Sequence, residues 1–527
     1  MTGKELTEEK LFKYVVNKAT EFGMVPKNDP KNTSKLINEK GNTVVRHNTG
    51  DAPYFAFITK DQEFSGKYSG LSFVIFPNDV KGNVTHCVMS ICIGSATLGN
   101  DTFLACNPGF RRSFMKLVND KDSQFFFSEN WGDMDSRNPG LKEAVEETNE
   151  TTLINSVNGY DNNSSGGREG LLPAACLLSF AEDFDLQSQG IKILDAWLAQ
   201  YAIWRVWDTT KKSREAIEKN LENARIPSKT NDDLKEEIAG KIMGLSAGKT
   251  SVHGKKYIIL QGAPGCGKTR MALDIADQFF DKDYVVFTQF HAETTYADFV
   301  YGIKPDLNNK NLNYNGEPGV LLNAIEKANK AKEKGKIALL IIDEINRANL
   351  ANVLGPVFYL FEANATGHNY ELTLGKVGNE EIKYKELPDN LYVIATMNTA
   401  DRSLAVVDFA LRRRFTWYTL FPKVLSDKDL GEGKRFDKSR FIEFSTLFEK
   451  YATDDELHLQ PGHSYFILDT DEDEDSEDGT ITDEMKFRLQ YELMPLMKEY
   501  FNEGYLLNAK DEFSHLFFKY TREYMFK

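Results

Sequence analysis

Eight consecutive residues constrain this chain more than any others. Gly262, Ala263, Pro264, Gly265, Cys266, Gly267, Lys268 and Thr269 satisfy the pattern G-x-x-x-x-G-K-[ST] at every fixed position. They follow the apolar run YIILQ and precede the helical pattern TRMALDIADQF. A strand, a glycine-rich turn and a helix in that order make a phosphate-binding loop. Glycines let backbone N–H groups converge where a Cβ would intrude, and the helix N-terminus adds partial positive charge. Lys268 is expected to reach the β- and γ-phosphates of a nucleotide, and Thr269 to hold Mg²⁺ through its hydroxyl. Arg270 is counted with the loop. Cys266 stands at a variable position and receives no redox role.

The surrounding sequence supplies the rest of such a domain. YVVFTQF, ALLIIDE and LYVIATMN are short buried-strand candidates separated by helical patterns, as in a parallel sheet with crossover helices. ALLIIDE ends in Asp343 and Glu344. A strand end beside the phosphate loop places both carboxylates near the γ-phosphate. Asp343 is expected to bind Mg²⁺, directly or through water, and Glu344 to polarise the attacking water.

Length suggests three or four domains at roughly 100–200 residues each. Residues 1–135 read as an α+β recognition module. It comprises a helix over 4–22, a polar loop region over 24–51, and strands over 54–59, 70–76, 86–93 and 102–106. Residues 136–245 read as a helical connector containing LLPAACLLSFAEDF and ILDAWLAQYAIWRVW, with an exposed polar loop at 158–167. Residues 246–422 form the large α/β subdomain and 423–527 a helical lid, whose acidic run 469–478 is expected as a solvated loop. The segment Pro108–Lys116 mixes aromatic and basic residues. It suits stacking and phosphate contact on a nucleic acid, or a half-buried strand and helix start.

Lys+Arg 64 against Asp+Glu 79 gives a net charge of −15. Residues 1–122 carry 16 basic and 13 acidic side chains, a net of +3, which leaves −18 on the other 405. An acidic body argues against non-specific coating of nucleic acid. No apolar run approaches the ~20 residues of a membrane helix. Five scattered cysteines, Cys87, Cys92, Cys106, Cys176 and Cys266, make no disulfide framework. A cytoplasmic protein without a membrane contact is expected.

Longer strings narrow the class. QFHAETTYADFVYGIKPD, DEINRANL, LYVIATMNTADRSLAVVDFALRRRF and PGHSYF together resemble the McrB-type AAA+ motors of modification-dependent (type IV, McrBC-like) restriction systems. The resemblance covers about residues 255–500. It implies an AAA+ core with a helical lid, a nucleoside triphosphatase that uses GTP (or ATP) with Mg²⁺, and a hexameric ring. It also implies a McrC-like partner subunit carrying the nuclease, and recognition of DNA, possibly modified, by the N-terminal module. Asn346 and Asn398 match polar positions around the attacking water, and Asp401 and Arg402 belong to the signature motif. Of Arg412, Arg413 and Arg414, Arg413 first and Arg414 second are expected to reach a neighbouring subunit's nucleotide, a solvated helix end being the plainer alternative. Gly462-His463-Ser464 resembles a lid motif able to meet the nucleotide. Two other functions stay open on sequence alone: an AAA+ ATPase that remodels protein clients, and a nucleotide-gated scaffold that senses phage components.

Overall fold

The structure is a computed structural model. It describes residues 6–24, 26–29, 32–38, 42–47, 53–59, 71–79, 81–94, 107–117, 123–127, 139–158, 170–180, 189–207, 210–225, 231–246, 256–305, 314–362, 371–377, 380–400, 409–469 and 481–526. The chain forms two compact units, residues 1–227 with 449–453, and residues 228–448 with 454–527. Asp401, Arg402, Cys106, the expected strand over 102–106, the polar loop beyond residue 158 and the acidic run beyond Asp469 lie outside the described residues.

The first unit is built on an eight-stranded sheet. Its spatial order is Pro26–Asp29, Asn32–Asn38, Asn42–His47, Tyr54–Thr59, Leu71–Pro77, His86–Gly94, Gly170–Ser179 and Ser123–Phe127. Neighbours are antiparallel throughout. Alternation sorts the side chains to two faces. Phe55, Phe57, Phe73 and Ile75 join Leu11 and Val15 of helix Glu8–Glu21 and Trp197 and Tyr201 of helix Gln189–Trp204 in one core. Ala56, Val74 and Phe76 turn to the opposite face, against Leu141, Val145 and Leu153.

Three expectations for this unit are corrected. Residues 24–51 contain three strands instead of a loop. Their Asn- and Lys-rich composition lacks the apolar alternation that marks a strand in sequence. LLPAACLLS is a strand instead of a helix, paired between His86–Gly94 and Ser123–Phe127. Its continuous apolar run reflects burial on both faces. Pro173 falls where the register shifts between Ile91 and Ile93, a bulge that removes the need for its missing N–H. The expected connector over 136–245 is therefore divided. Residues up to 227 complete the first unit, and helix Asn231–Ser246 belongs to the second.

The segment Pro108–Met115 is a helix with Phe110 and Phe114 fully buried against Trp204 and Trp197. Those rings offer no stacking surface to a nucleic acid, so the buried alternative holds, with a helix and no strand over Pro108–Met115.

The second unit carries a five-stranded parallel sheet. The strands are β1 (Tyr257–Gly262), β2 (Val285–Gln289), β3 (Ala338–Asp343), β4 (Leu391–Asn398) and β5 (Thr416–Thr419), in the order β2-β3-β4-β1-β5. Strands β3 and β4 are buried along their whole length, as expected for a parallel sheet covered on both faces. Helix α1 (Lys268–Phe279) follows β1 and helix α2 (Phe409–Arg414) precedes β5. Two hairpins, Tyr301–Pro305 with Tyr314–Pro318 and Leu372–Val377 with Glu380–Tyr384, interrupt the alternation. After β5 the chain is mainly helical, with Lys438–Tyr451, Asp483–Arg488, Met494–Asn502 and Lys510–Thr521. Among the described residues no helix is long and apolar enough to cross a membrane.

Candidate nucleotide site

The carboxyl ends of β1, β3 and β4 meet at one point because the three strands are adjacent and parallel, with Asn398 opposite Gly262 in register. Gly265 and Gly267 both have φ of +80°, a left-handed conformation that disfavours any side chain. Space forbids one as well: a Cβ on Gly265 would lie 2.3 Å from Ser464 Oγ, and one on Gly262 2.4 Å from the Leu420 carbonyl. The loop thus presents backbone directly to the mouth of the sheet.

Lys268 is buried, and its ammonium donates to the carbonyls of Gly262 (3.0 Å) and Ala263 (2.9 Å) and to Asn398 Oδ1 (2.6 Å). The other end of the same amide, Asn398 Nδ2, donates to Glu344 Oε1 at 2.6 Å. A lysine can only donate and a carboxylate only accept, so these partners fix the orientation of the amide. Asn398 therefore links the loop cation to the acidic strand end. Asn346 donates from Nδ2 to the Asn398 carbonyl (3.2 Å), while its Oδ1 is buried with no hydrogen-bond partner among the described residues. A buried unpaired acceptor is costly.

Asp343 and Glu344 separate sharply at the end of β3. Asp343 Oδ1 accepts from Thr269 Oγ1 and from Thr396 Oγ1, each at 2.7 Å. Glu344 takes the left-handed conformation, φ 53° and ψ 48°, which costs a non-glycine residue roughly 1–2 kcal/mol. Its N–H donates to Thr396 Oγ1 at 3.0 Å, and the turn carries its carboxylate away from Asp343 to Asn398. Thr396 was not singled out in the sequence. Its signal is the one threonine in a mainly apolar strand, two residues before Asn398.

Thr269 and Asp343 fit Mg²⁺. A hydroxyl and a carboxylate are hard oxygen donors, and this ion is usually held by one or two carboxylates together with substrate phosphates. Such an ion, when bound, neutralises charge on β- and γ-phosphate oxygens. Among the described residues no cluster of three or more His, Cys, Asp or Glu could hold a metal by itself.

The loop Gly462–Ser464 closes over the phosphate loop. Gly462 N–H donates to the Pro264 carbonyl (2.8 Å) and Ser464 N–H to the Gly265 carbonyl (3.2 Å). A Cβ on Gly462 would lie 1.9 Å from the Gly265 carbonyl carbon, so only glycine allows this approach. His463 is buried beside Gly267, and burial, reinforced by Lys423, lowers its pKa from 6.5 to about 4. The folded protein thus keeps this ring neutral where the unfolded chain protonates it. Stability from this site is complete above pH 6.5 and is lost as pH falls through about 4, a span on the order of 3 kcal/mol. His463→Gln is expected to flatten the fall in melting temperature of the second unit between pH 6.5 and 4. An unchanged pH slope in that variant would exclude His463 as its source.

The arginines divide. Arg414 is 9% exposed in its side chain, lies over the Phe358 ring and bonds Glu362. Arg413 is 70% exposed and meets the same Glu362 oxygen at 2.6 Å. Arg412 lies over the Trp417 ring. Arg413 thus turns its guanidinium to the surface, whereas Arg414 is held within the fold. Cys266 is buried and its thiol is pushed up to about 11 by that burial, so it is inert as a nucleophile. Arg270 lines the same cavity as the loop.

Glycine-rich loop, strand-end carboxylates and polar β4 terminus together define a P-loop nucleoside triphosphatase domain. Residues 257–415 match the AAA domain of the dynein-related subfamily. The chain is 36% identical to the type IV methyl-directed restriction enzyme EcoKMcrB subunit of Escherichia coli K12, over 47% of this chain and 54% of that protein. It is 32% identical to component YdiS of the type II restriction enzyme BsuMI of Bacillus subtilis 168, over 30% of this chain and 55% of that protein. The matches thus span about half the length of each relative. Among solved structures, Caenorhabditis elegans PCH-2 aligns over 41% of this chain and 45% of that one at 13% identity, with a TM-score of 0.22. Residues 257–415 thus match an AAA domain, and the chain is similar over about half its length to an McrB subunit.

Proposed function

We propose that this chain is the motor subunit of a McrBC-like DNA restriction complex and hydrolyses GTP, in preference to ATP, with Mg²⁺. Lys268 and the loop N–H groups bind the phosphates, Thr269 and Asp343 hold the metal, and Glu344 with Asn346 and Asn398 orients the attacking water. Arg413 serves the neighbouring subunit's site in a ring, taken as a hexamer. The first unit recognises DNA, possibly modified, and a separate McrC-like chain supplies the nuclease. Asp401 and Arg402 are carried as members of the signature motif.

The observation that supports this reading most is the single relay Lys268–Asn398–Glu344, which joins the first residue of helix α1 to the ends of β4 and β3. It couples a phosphate-binding cation to a water-activating carboxylate. The restriction context rests on the two relatives. Wild-type protein is expected to release phosphate from GTP faster than from ATP, slowly when alone, and Lys268→Ala to abolish nucleotide binding. Side-by-side phosphate-release kinetics check both; a clear preference for ATP would remove the GTP assignment.

A further inference from the structure

The phosphate loop grips only what GTP and ATP share, so any preference must arise elsewhere in the same cavity. That cavity has a volume of about 590 Å³, and Lys268, Glu344, the phosphate loop, Asp232, Lys423 and Leu425 all line it. Asp232 stands in the first turn of helix Asn231–Ser246. That helix is fixed to the sheet: its Ile238 shares a core with Ile258, Leu260 and Met271, and its Glu237 accepts from Tyr418 Oη at 3.3 Å. Lys423 Nζ lies 3.5 Å from both Asp232 oxygens and 3.2 Å from Asp429 Oδ1.

The two acidic residues differ in what they can offer a ligand. Asp429 is spent on its own turn: Oδ2 accepts from Ser426 N–H and Oγ, and its pKa is held down to about 2 despite partial burial. Asp232 is 77% exposed in its side chain and touches Lys423 only at long range. The cavity lining therefore carries a carboxylate acceptor beside an ammonium donor.

We infer that Asp232 and Lys423 read the nucleobase and select guanine, an inference that rests on the nucleotide-site reading above. One edge of guanine sets the O6 acceptor beside the N1–H and N2–H₂ donors. Adenine presents a donor, N6–H₂, beside the N1 acceptor. Lys423 matches O6, and Asp232 takes N1–H and N2–H₂ with its two oxygens. Adenine would set donor against Lys423 and acceptor against Asp232, so neither side chain would gain a hydrogen bond from the base.

The test is a change of base preference. In Asp232→Asn one carboxylate oxygen becomes an NH₂ donor, which suits xanthine, whose C2 bears a carbonyl where guanine has N2–H₂. Affinities of GTP, ATP, ITP and XTP with Mg²⁺ are measured for the full chain, for Asp232→Asn and for Lys268→Ala. Wild type is expected to bind GTP about 10- to 100-fold tighter than ATP or XTP, with ITP between. Asp232→Asn should weaken GTP by a similar factor and favour XTP. A GTP-to-XTP ratio unchanged in Asp232→Asn, with binding still abolished by Lys268→Ala, overturns the inference and leaves the nucleotide site intact. Nucleotide binding that survives Lys268→Ala overturns the site reading itself, and this inference with it.

Discussion

Glu344→Gln is expected to bind nucleoside triphosphate as tightly as the unchanged protein and to turn it over about 10²–10⁴ times more slowly. The binding groups, Lys268, Thr269 and the loop N–H donors, do not involve this side chain. Glutamine keeps the length of glutamate and an oxygen to accept from Asn398 Nδ2, the 2.6 Å contact that fixes the carboxylate. What it loses is negative charge and the capacity to take a proton from water. Fluorescent-nucleotide binding and single-turnover phosphate release separate the two effects. Turnover at the wild-type rate would remove Glu344 from the mechanism.

A second large loss is expected at Arg413. An arginine supplied from a neighbouring subunit is worth roughly 10³–10⁵ in rate, so Arg413→Ala should retain nucleotide binding and lose most turnover. Arg413 now pairs with Glu362 on the protein surface. An exposed pair of this kind contributes about 0–1 kcal/mol, far less than the 4–7 kcal/mol that such a rate factor represents. Exchanging Glu362 for a phosphoryl group therefore costs little. The adjacent Arg414 makes a control, because its buried stacking on Phe358 belongs to the fold of its own subunit. Loss of turnover in Arg414→Ala should come with loss of stability, and in Arg413→Ala without it.

How far the fold was legible follows from which interactions are local. The phosphate loop and the strands ending in Gly262, Asp343 and Asn398 stand out because a short buried parallel strand is an unbroken apolar run bounded by glycine or acid. The strands over 26–47 carry too little apolar alternation to be seen, and their ordering comes from pairing across the sheet. The strand Gly170–Ser179 imitates a helix because both its faces are buried. The site divides along the same line. Gly262 to Thr269 are contiguous and carry a spacing that only one chemistry uses. Asn346 and Asn398 were reached through family resemblance. Asp232 and Lys423 are 191 positions apart, and no local pattern announces that helix Asn231–Ser246 returns to the cavity.

In the proposed ring each site is built from one subunit's phosphate loop and the next subunit's arginine. Mixing Arg413→Ala protein with Lys268→Ala protein tests it most directly. Each variant alone lacks one half of every interface. In a mixed ring, some interfaces join the intact phosphate loop of the first variant to the intact Arg413 of the second. Phosphate release from the mixture is expected to exceed the sum of the two variants measured separately, and to rise with total protein concentration. Mixed assemblies verified by differential tagging that show no such gain, or full wild-type activity in a monomer at high dilution, would contradict the shared site.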